Sequence, residues 1–169
     1  MRSFWQRRRR PYNPAPMPAD QRIDALLADY NSHHRTRENR VCHAFGITLI
    51  VFGVLSLLLP IHVGPLTAAE LAIAALVVPS AILEIRLGST LLLAAIALDL
   101  LARAAGDARV GLVAFILGWG LQAIGHAVYE KNKPAFFRNL VHLVVGPLYL
   151  LNKLLKIRPI PSGNAGNGP

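Results

Sequence analysis

Four stretches of the chain are almost continuously apolar, near residues 44–59, 66–83, 87–102 and 110–129. Each is close to the roughly 17 to 25 residues that a membrane-spanning helix needs. The breaks between them carry residues that stop a helix: Pro60 with Gly64 and Pro65, then Arg86 with Gly88, then Gly106 with Asp107. Ahead of the first stretch, Ile23, Leu26, Leu27 and Tyr30 recur at i, i+3, i+4, i+7. That pattern predicts a short amphipathic helix over 19–30, capped by Asp20, with its apolar stripe against the membrane or the other helices. A last apolar stretch, 136–155, carries Arg138, Asn139, His142, Lys153 and Lys156 and is interrupted by Gly146 and Pro147. It reads as two interfacial half-helices rather than a fifth span. No internal repeat stands out. The predicted fold is all-α: a polytopic membrane helical bundle of about four transmembrane helices, an N-terminal amphipathic helix and a C-terminal interfacial helical segment. Residues 19–158 form its single membrane domain. The basic N-terminus, 1–18, and the Gly-, Asn- and Pro-rich tail, 159–169, are expected to be disordered.

Composition agrees with this pattern. Of 169 residues 53% are hydrophobic and 16% charged, which excludes a disordered chain. The net charge of +9 could suit nucleic acid only if it lay along a folded surface. Instead the interval from Ala44 to Tyr129 holds three Arg and four acids, and the remaining bases crowd the ends. The expected partner is membrane lipid, and no nucleic acid. With four spans and a cytoplasmic N-terminus, sixteen Lys and Arg fall on the cytoplasmic side and only Arg103 and Arg109 on the other. This positive-inside asymmetry predicts both termini cytoplasmic, in a bacterial inner membrane, or in the endoplasmic reticulum if the source is eukaryotic. The first apolar run begins only at Ala44, so the early apolar core of a cleavable signal peptide is missing. The single cysteine, Cys42, excludes an internal disulfide and a cysteine-based zinc site. Asp99 is the one acid well inside a span, and Arg103 at i+4 offers it a paired charge.

The topology also sorts the six histidines. His33, His34 and His43 lie at the cytoplasmic start of the first span, His126 near the cytoplasmic end of the fourth and His142 just after it, while His62 alone lies on the far side. A single interfacial histidine is ordinarily a polar tip at the headgroup layer. Imidazoles converging on one depth from distant parts of the chain are what a metal site requires. Asn39 and His43 are i, i+4, and Gln122, His126 and Glu130 are i, i+4, i+8, so Glu130 could orient His126 or itself reach a metal. His34 and His43 are nine residues apart, which on one straight helix separates them by about 13 Å along the axis and puts them on opposite sides. The chain must therefore bend between them, in the polar run 35–38.

Two segments then read together. The first has Tyr30, His34, Asn39, His43 and Gly46, and the second Trp119, Gln122, Gly125, His126, Tyr129, Glu130, Pro134 and Ala135. They resemble the two signatures of the Mpo-type family of small membrane proteins, whose fungal members are 2-hydroxy fatty acid dioxygenases of phytosphingosine breakdown. The resemblance runs from about Asp24 to Leu151, with Thr48 where the family usually has Pro and Ala123 where it often has Phe. It implies Fe(II)-dependent α-oxidation, in which O2 shortens a 2-hydroxy fatty acid by one carbon. His34, His43 and His126 would be the metal ligands, with His142 as a further candidate. Glu130 and Asn39 would orient them, and a basic residue such as Lys131 or Lys133 would attract the carboxylate. The acyl chain would lie between spans. Imidazole and carboxylate alone would also suit zinc or manganese.

Three other readings compete. A di-iron desaturase would share the topology but uses more histidines, in closely spaced boxes, than the six present here. A non-catalytic multi-span protein that organises lipid or a partner would use its histidines at the interface. A small transporter would depend on Asp99 instead.

Overall fold

The computed structural model describes residues 17–34, 36–130 and 141–160, with the side chains of Val141 and His142 excepted. The disorder expected of residues 1–16 and 161–169, the first part of the interfacial stretch, Lys131, Lys133 and the His142 side chain lie outside the described residues. The elements in order are α1 (Ala19–Ser32), α2 (Arg37–Leu58), a hairpin of β1 (His62–Val63) and β2 (Leu66–Thr67), α3 (Ala68–Leu83), α4 (Ile85–Ala105), α5 (Ala108–Ile124) and α6 (Val141–Leu155). The chain is an all-α membrane bundle. Three helices are long and apolar enough to cross a membrane: α2, α4, and α5 with its continuation to Glu130. The fourth apolar helix, α3, has 16 residues, which is about 24 Å.

Helices α2, α4 and α5 with its continuation reach beyond their apolar runs, and polar side chains cap the helix starts from α2 to α5. Thr36 precedes α2 in an extended conformation and accepts the Asn39 N–H on its hydroxyl. Thr67 and Glu70 form a reciprocal capping box at the start of α3. Glu84, with extended backbone, accepts the Leu87 N–H at 2.6 Å, so the α3–α4 break falls two residues ahead of Arg86. Gly106, at φ 66, closes α4, and Asp107 opens α5. The break at Pro60–Pro65 contains a hairpin that periodicity did not reveal, with His62 opposite Thr67 and Val63 opposite Leu66. Gly64, at φ 63, supplies the turn. The C-terminal stretch also differs from expectation: α6 runs unbroken through Gly146 and Pro147. A proline removes one internal hydrogen bond but does not end a helix whose faces are held by neighbours.

Packing centres on α2, which lies against α5 along most of its length. The contact is built from glycines. A Cβ on Gly46 would press on the Gly118 carbonyl, one on Gly53 on the Gly111 carbonyl, and one on Gly125 on Asn39. Asn39, Gly46 and Gly53 are seven residues apart, as are Gly125, Gly118 and Gly111 running the opposite way. The seven-residue step keeps one seam facing the partner, and the missing side chains let antiparallel backbones approach closely. Ile23, Leu27 and Tyr30 of α1 are buried, and α1 packs on α6 and α3. The amphipathic helix therefore rests on other helices. Arg158 ties the end of the described chain back to α1 through Asp24 at 2.9 Å.

Candidate metal centre

The site forms where α1 ends, α2 begins and α5 finishes. Helix α1 stops at Ser32, and the Tyr30 carbonyl accepts the His33 N–H at 3.2 Å. The same carbonyl lies 2.7 Å from His34 Nδ1. A carbonyl can only accept, so Nδ1 carries the proton and Nε2 keeps its lone pair. The Tyr30 ring stacks on His34 at 4.0 Å and 10°. The Tyr-to-His spacing of four thus fixes both the tautomer and the plane of the imidazole. Nearly two turns into α2, His43 Nδ1 lies 3.0 Å from the Asn39 carbonyl, which selects the same tautomer.

The third imidazole arrives from α5. After Ile124 the helix widens into a π turn, Gly125–Glu130, a feature that recurs at functional sites. Gly125 sits so close to α2 that a Cβ would run into Asn39 Oδ1 and Cys42. This close approach seats His126 against its partners. The ring centroids are 4.2 Å apart for His34–His43, 5.1 Å for His34–His126 and 4.6 Å for His43–His126. All three are buried, and one nitrogen from each lies within 4.8 Å of the others.

Two further residues hold this arrangement. Glu130 Oε1 accepts the Thr36 N–H at 2.8 Å, the Thr36 hydroxyl at 3.2 Å and Asn39 Nδ2 at 3.2 Å. In a local capping box the third helical residue reaches back to the cap. Here that residue is Asn39, and Glu130 supplies the carboxylate from the far end of α5. It clamps the first turn of α2, between His34 and His43, to the helix that carries His126. The bend required between His34 and His43 lies at this clamp.

The polar bookkeeping separates a binding site from a packed core. His34 Nε2, His126 Nδ1 and Asn39 Oδ1 are buried and have no hydrogen-bond partner. Each such atom costs about 1–3 kcal/mol, and three in one cluster call for an explanation. Burial, outweighing the nearby Tyr30 carbonyl, pushes His34 down to about 4. It is therefore neutral near pH 7, the form that ligates a cation. Burial likewise pushes Tyr30 up. Neutral nitrogen donors with unused lone pairs suit a divalent transition metal.

The other sequence candidates separate. His33 turns outward, with Nδ1 2.9 Å from the Asp29 carbonyl, and His62 is exposed on the hairpin at the opposite end of α2. Cys42 is half-buried beside Gly125. Asp99 pairs with Arg103 at 2.7 Å. Sequence reasoning missed Thr36, Gly146 and Tyr149. Tyr149 packs on Tyr30 at 4.8 Å and donates to Asn31 Oδ1 at 2.6 Å, while a Cβ on Gly146 would crowd the Tyr30 hydroxyl. Only the seven-residue glycine spacing was available in the sequence as a signal for the α2–α5 contact.

The triad opens into a cleft of about 510 Å³ between α2, α5 and α6, lined by Ile47, Ile50, Val51, Trp119 and Leu143 among others. A family profile described as 2-hydroxy-palmitic acid dioxygenase Mpo1-like matches residues 21–157. The chain belongs to the Mpo1-like family. Residues of this chain are also 41% identical, over 71 residues, to the 2-hydroxy-palmitic acid dioxygenase MPO1 of Saccharomyces cerevisiae (strain ATCC 204508 / S288c). That match covers 38% of this chain and 41% of the yeast protein. No solved structure matches. The Mpo1-like match encloses the whole triad, Asn39 and Glu130.

Proposed function

We propose that this protein is an Fe(II)-dependent membrane dioxygenase that shortens 2-hydroxy fatty acids by one carbon. The observation that carries the reading is the triad: three buried imidazoles within 4.8 Å, two of their nitrogens without partners, at the wall of an apolar cleft. The family membership and the name of the yeast relative support the substrate class. His34, His43 and His126 would hold the metal, with His142 as a further candidate. Iron(II), when bound, supplies the one-electron chemistry that lets O2 react with a closed-shell acid. The overall change breaks the C1–C2 bond. The 2-hydroxy acid and O2 give the acid one carbon shorter, CO2 and water, so the four electrons that reduce O2 come from C1 and C2.

The protein's own residues orient and exclude. The Tyr30 and Asn39 carbonyls keep the Nδ1 protons of His34 and His43 in place, leaving the Nε2 lone pairs for coordination. Asn39 and Glu130 fix the distance between the two chain segments that bring the ligands. The cleft beside Ile50, Val51 and Trp119 takes the hydrocarbon chain and keeps water from the reacting carbon. The positive-inside count supports a cytoplasmic triad, reached by a fatty acid from that leaflet.

The test is elemental analysis of anaerobically purified protein in detergent, wild type beside His126→Ala, followed by 2-hydroxypalmitate and O2. The expected result is about one iron per chain, lost in the variant, with pentadecanoate formed by the wild type only. No metal after anaerobic Fe(II) reconstitution would favour a non-catalytic protein that organises lipid or a partner.

A further inference from the structure

A second, smaller cleft of about 320 Å³ lies on the other side of His34 and His43. It shares Tyr30, His34, His43 and Ile47 with the larger cleft, so the two meet at His34 and His43 of the triad. Their chemistry differs. Among the described residues, no Lys, Arg, Asp or Glu lines the larger cleft. The smaller one is lined by Arg40 from α2 and Lys153 from α6 and, among the described residues, by no acid. Arg40 donates through Nη1 to the His34 carbonyl at 3.3 Å, which holds its guanidinium beside the loop that carries the ligand. Lys153 comes from the last turn of α6 and is exposed, so it can meet a solute at the membrane surface.

An amphiphile with one anionic end and one long apolar end is sorted by such a pair of clefts. Its tail gains by leaving water in the apolar one. Its carboxylate gains charge-assisted hydrogen bonds only in the basic one. Carbon 2, next to the carboxylate, then lies at the triad between them. We infer that the small cleft is the carboxylate subsite and that Lys153 and Arg40 are the residues that position the substrate's anionic end. This inference rests on the 2-hydroxy acid reading and assigns to these residues a role for which the family resemblance suggested Lys131 or Lys133.

The test uses full-length protein in detergent and compares equilibrium binding of 2-hydroxypalmitate with that of hexadecane-1,2-diol, which has the same chain and no carboxylate. Lys153→Gln is expected to weaken the acid about tenfold or more, the scale of one lost charge-assisted bond. It leaves the diol within twofold of wild type, and Lys153→Arg restores acid binding. In turnover, Lys153→Gln raises KM with little change in kcat, and iron content stays at the wild-type level. Arg40→Lys, which keeps the charge but loses the planar fork, weakens the acid to a smaller degree. Lys156→Gln, one helix end further along and not lining the cleft, separates a subsite from general attraction of anions to a basic surface. Equal weakening by Lys156→Gln and Lys153→Gln overturns the assignment, as does equal weakening of acid and diol, or unchanged acid binding in Lys153→Gln. Wild-type protein that prefers acid over diol through Lys153 but makes no shortened product retains the subsite and sinks the dioxygenase reading instead.

Discussion

The two ends of the bundle handle polar groups in opposite ways. At the hairpin end, Arg103 bridges Asp99 at 2.7 Å and Glu70 at 3.1 Å, while Glu70 receives the Thr67 N–H at 2.7 Å. Opposite charges meet, and one side chain staples the start of α3 to the end of α4. At the other end three imidazoles converge, and His34 Nε2 and His126 Nδ1 are left without hydrogen-bond partners. Both clusters are polar groups in an apolar bundle, where unpaired polarity is expensive. The first discharges most of that cost through ion pairs, with Asp99 Oδ1 alone left unpartnered, and so acts as a latch. The second leaves it standing until a cation arrives, which is how a binding site differs from a structural network.

Substitutions at the two ends should therefore separate metal binding from stability. The largest contrast is between histidines: His34→Ala is expected to abolish metal binding and turnover, and His62→Ala to leave both at wild-type levels, by elemental analysis and product assay. Equal tolerance of both would remove the metal site altogether. Next, Glu130→Gln keeps the shape of the clamp but removes its charge. Metal affinity should fall by about 10- to 100-fold, as for other groups that hold ligands in place, measured by competition with a chelator of known affinity. Unchanged affinity would make Glu130 a helix cap and nothing more. Third, Gly125→Ala forces a Cβ onto Asn39 and Cys42 and should cost about 1–3 kcal/mol as well as weakening the metal. Gly120→Ala, with nothing within 4 Å of the new methyl, should change neither in thermal unfolding with and without metal. The smallest effect is at the latch: Asp99→Asn leaves Arg103 with Glu70, lowers stability by about 1 kcal/mol and leaves metal content alone. A loss of iron there would mean that the two ends are coupled.

Several parts of this architecture were legible residue by residue. Apolar run length marked the long helices, and the Ile23, Leu27, Tyr30 period marked the face that α1 buries. Asp99 and Arg103 at i, i+4 marked the far-end pair. The nine-residue gap between His34 and His43 required the bend that Thr36 now caps. Other features left no local trace. The π turn at Gly125–Glu130 has no residue signature. Helical spacing put Glu130 on the His126 face, but nothing local announced the hydrogen bonds of its Oε1 to Thr36 and Asn39, more than ninety positions back in the chain. Gly146 and Pro147 looked like a break, but α6 continues through them because α1 and α4 pack on it.

By itself the sequence determined what depends on near neighbours: which segments are long and apolar enough for spanning helices, and where the breaks between those helices fall, though not the cap expected at Asp20, since α1 starts after Pro18 with no side-chain cap. Those follow from local hydrogen bonding and burial, which act over a few residues. The family signatures implied His34, His43 and His126, but how they meet was decided by the tertiary structure, because these residues converge only in the register that α2 and α5 adopt. That register is set by glycine-to-backbone contacts and by one carboxylate reaching across the helices. The clefts on either side of the triad arise in the same way, from surfaces that exist only once distant helices have packed.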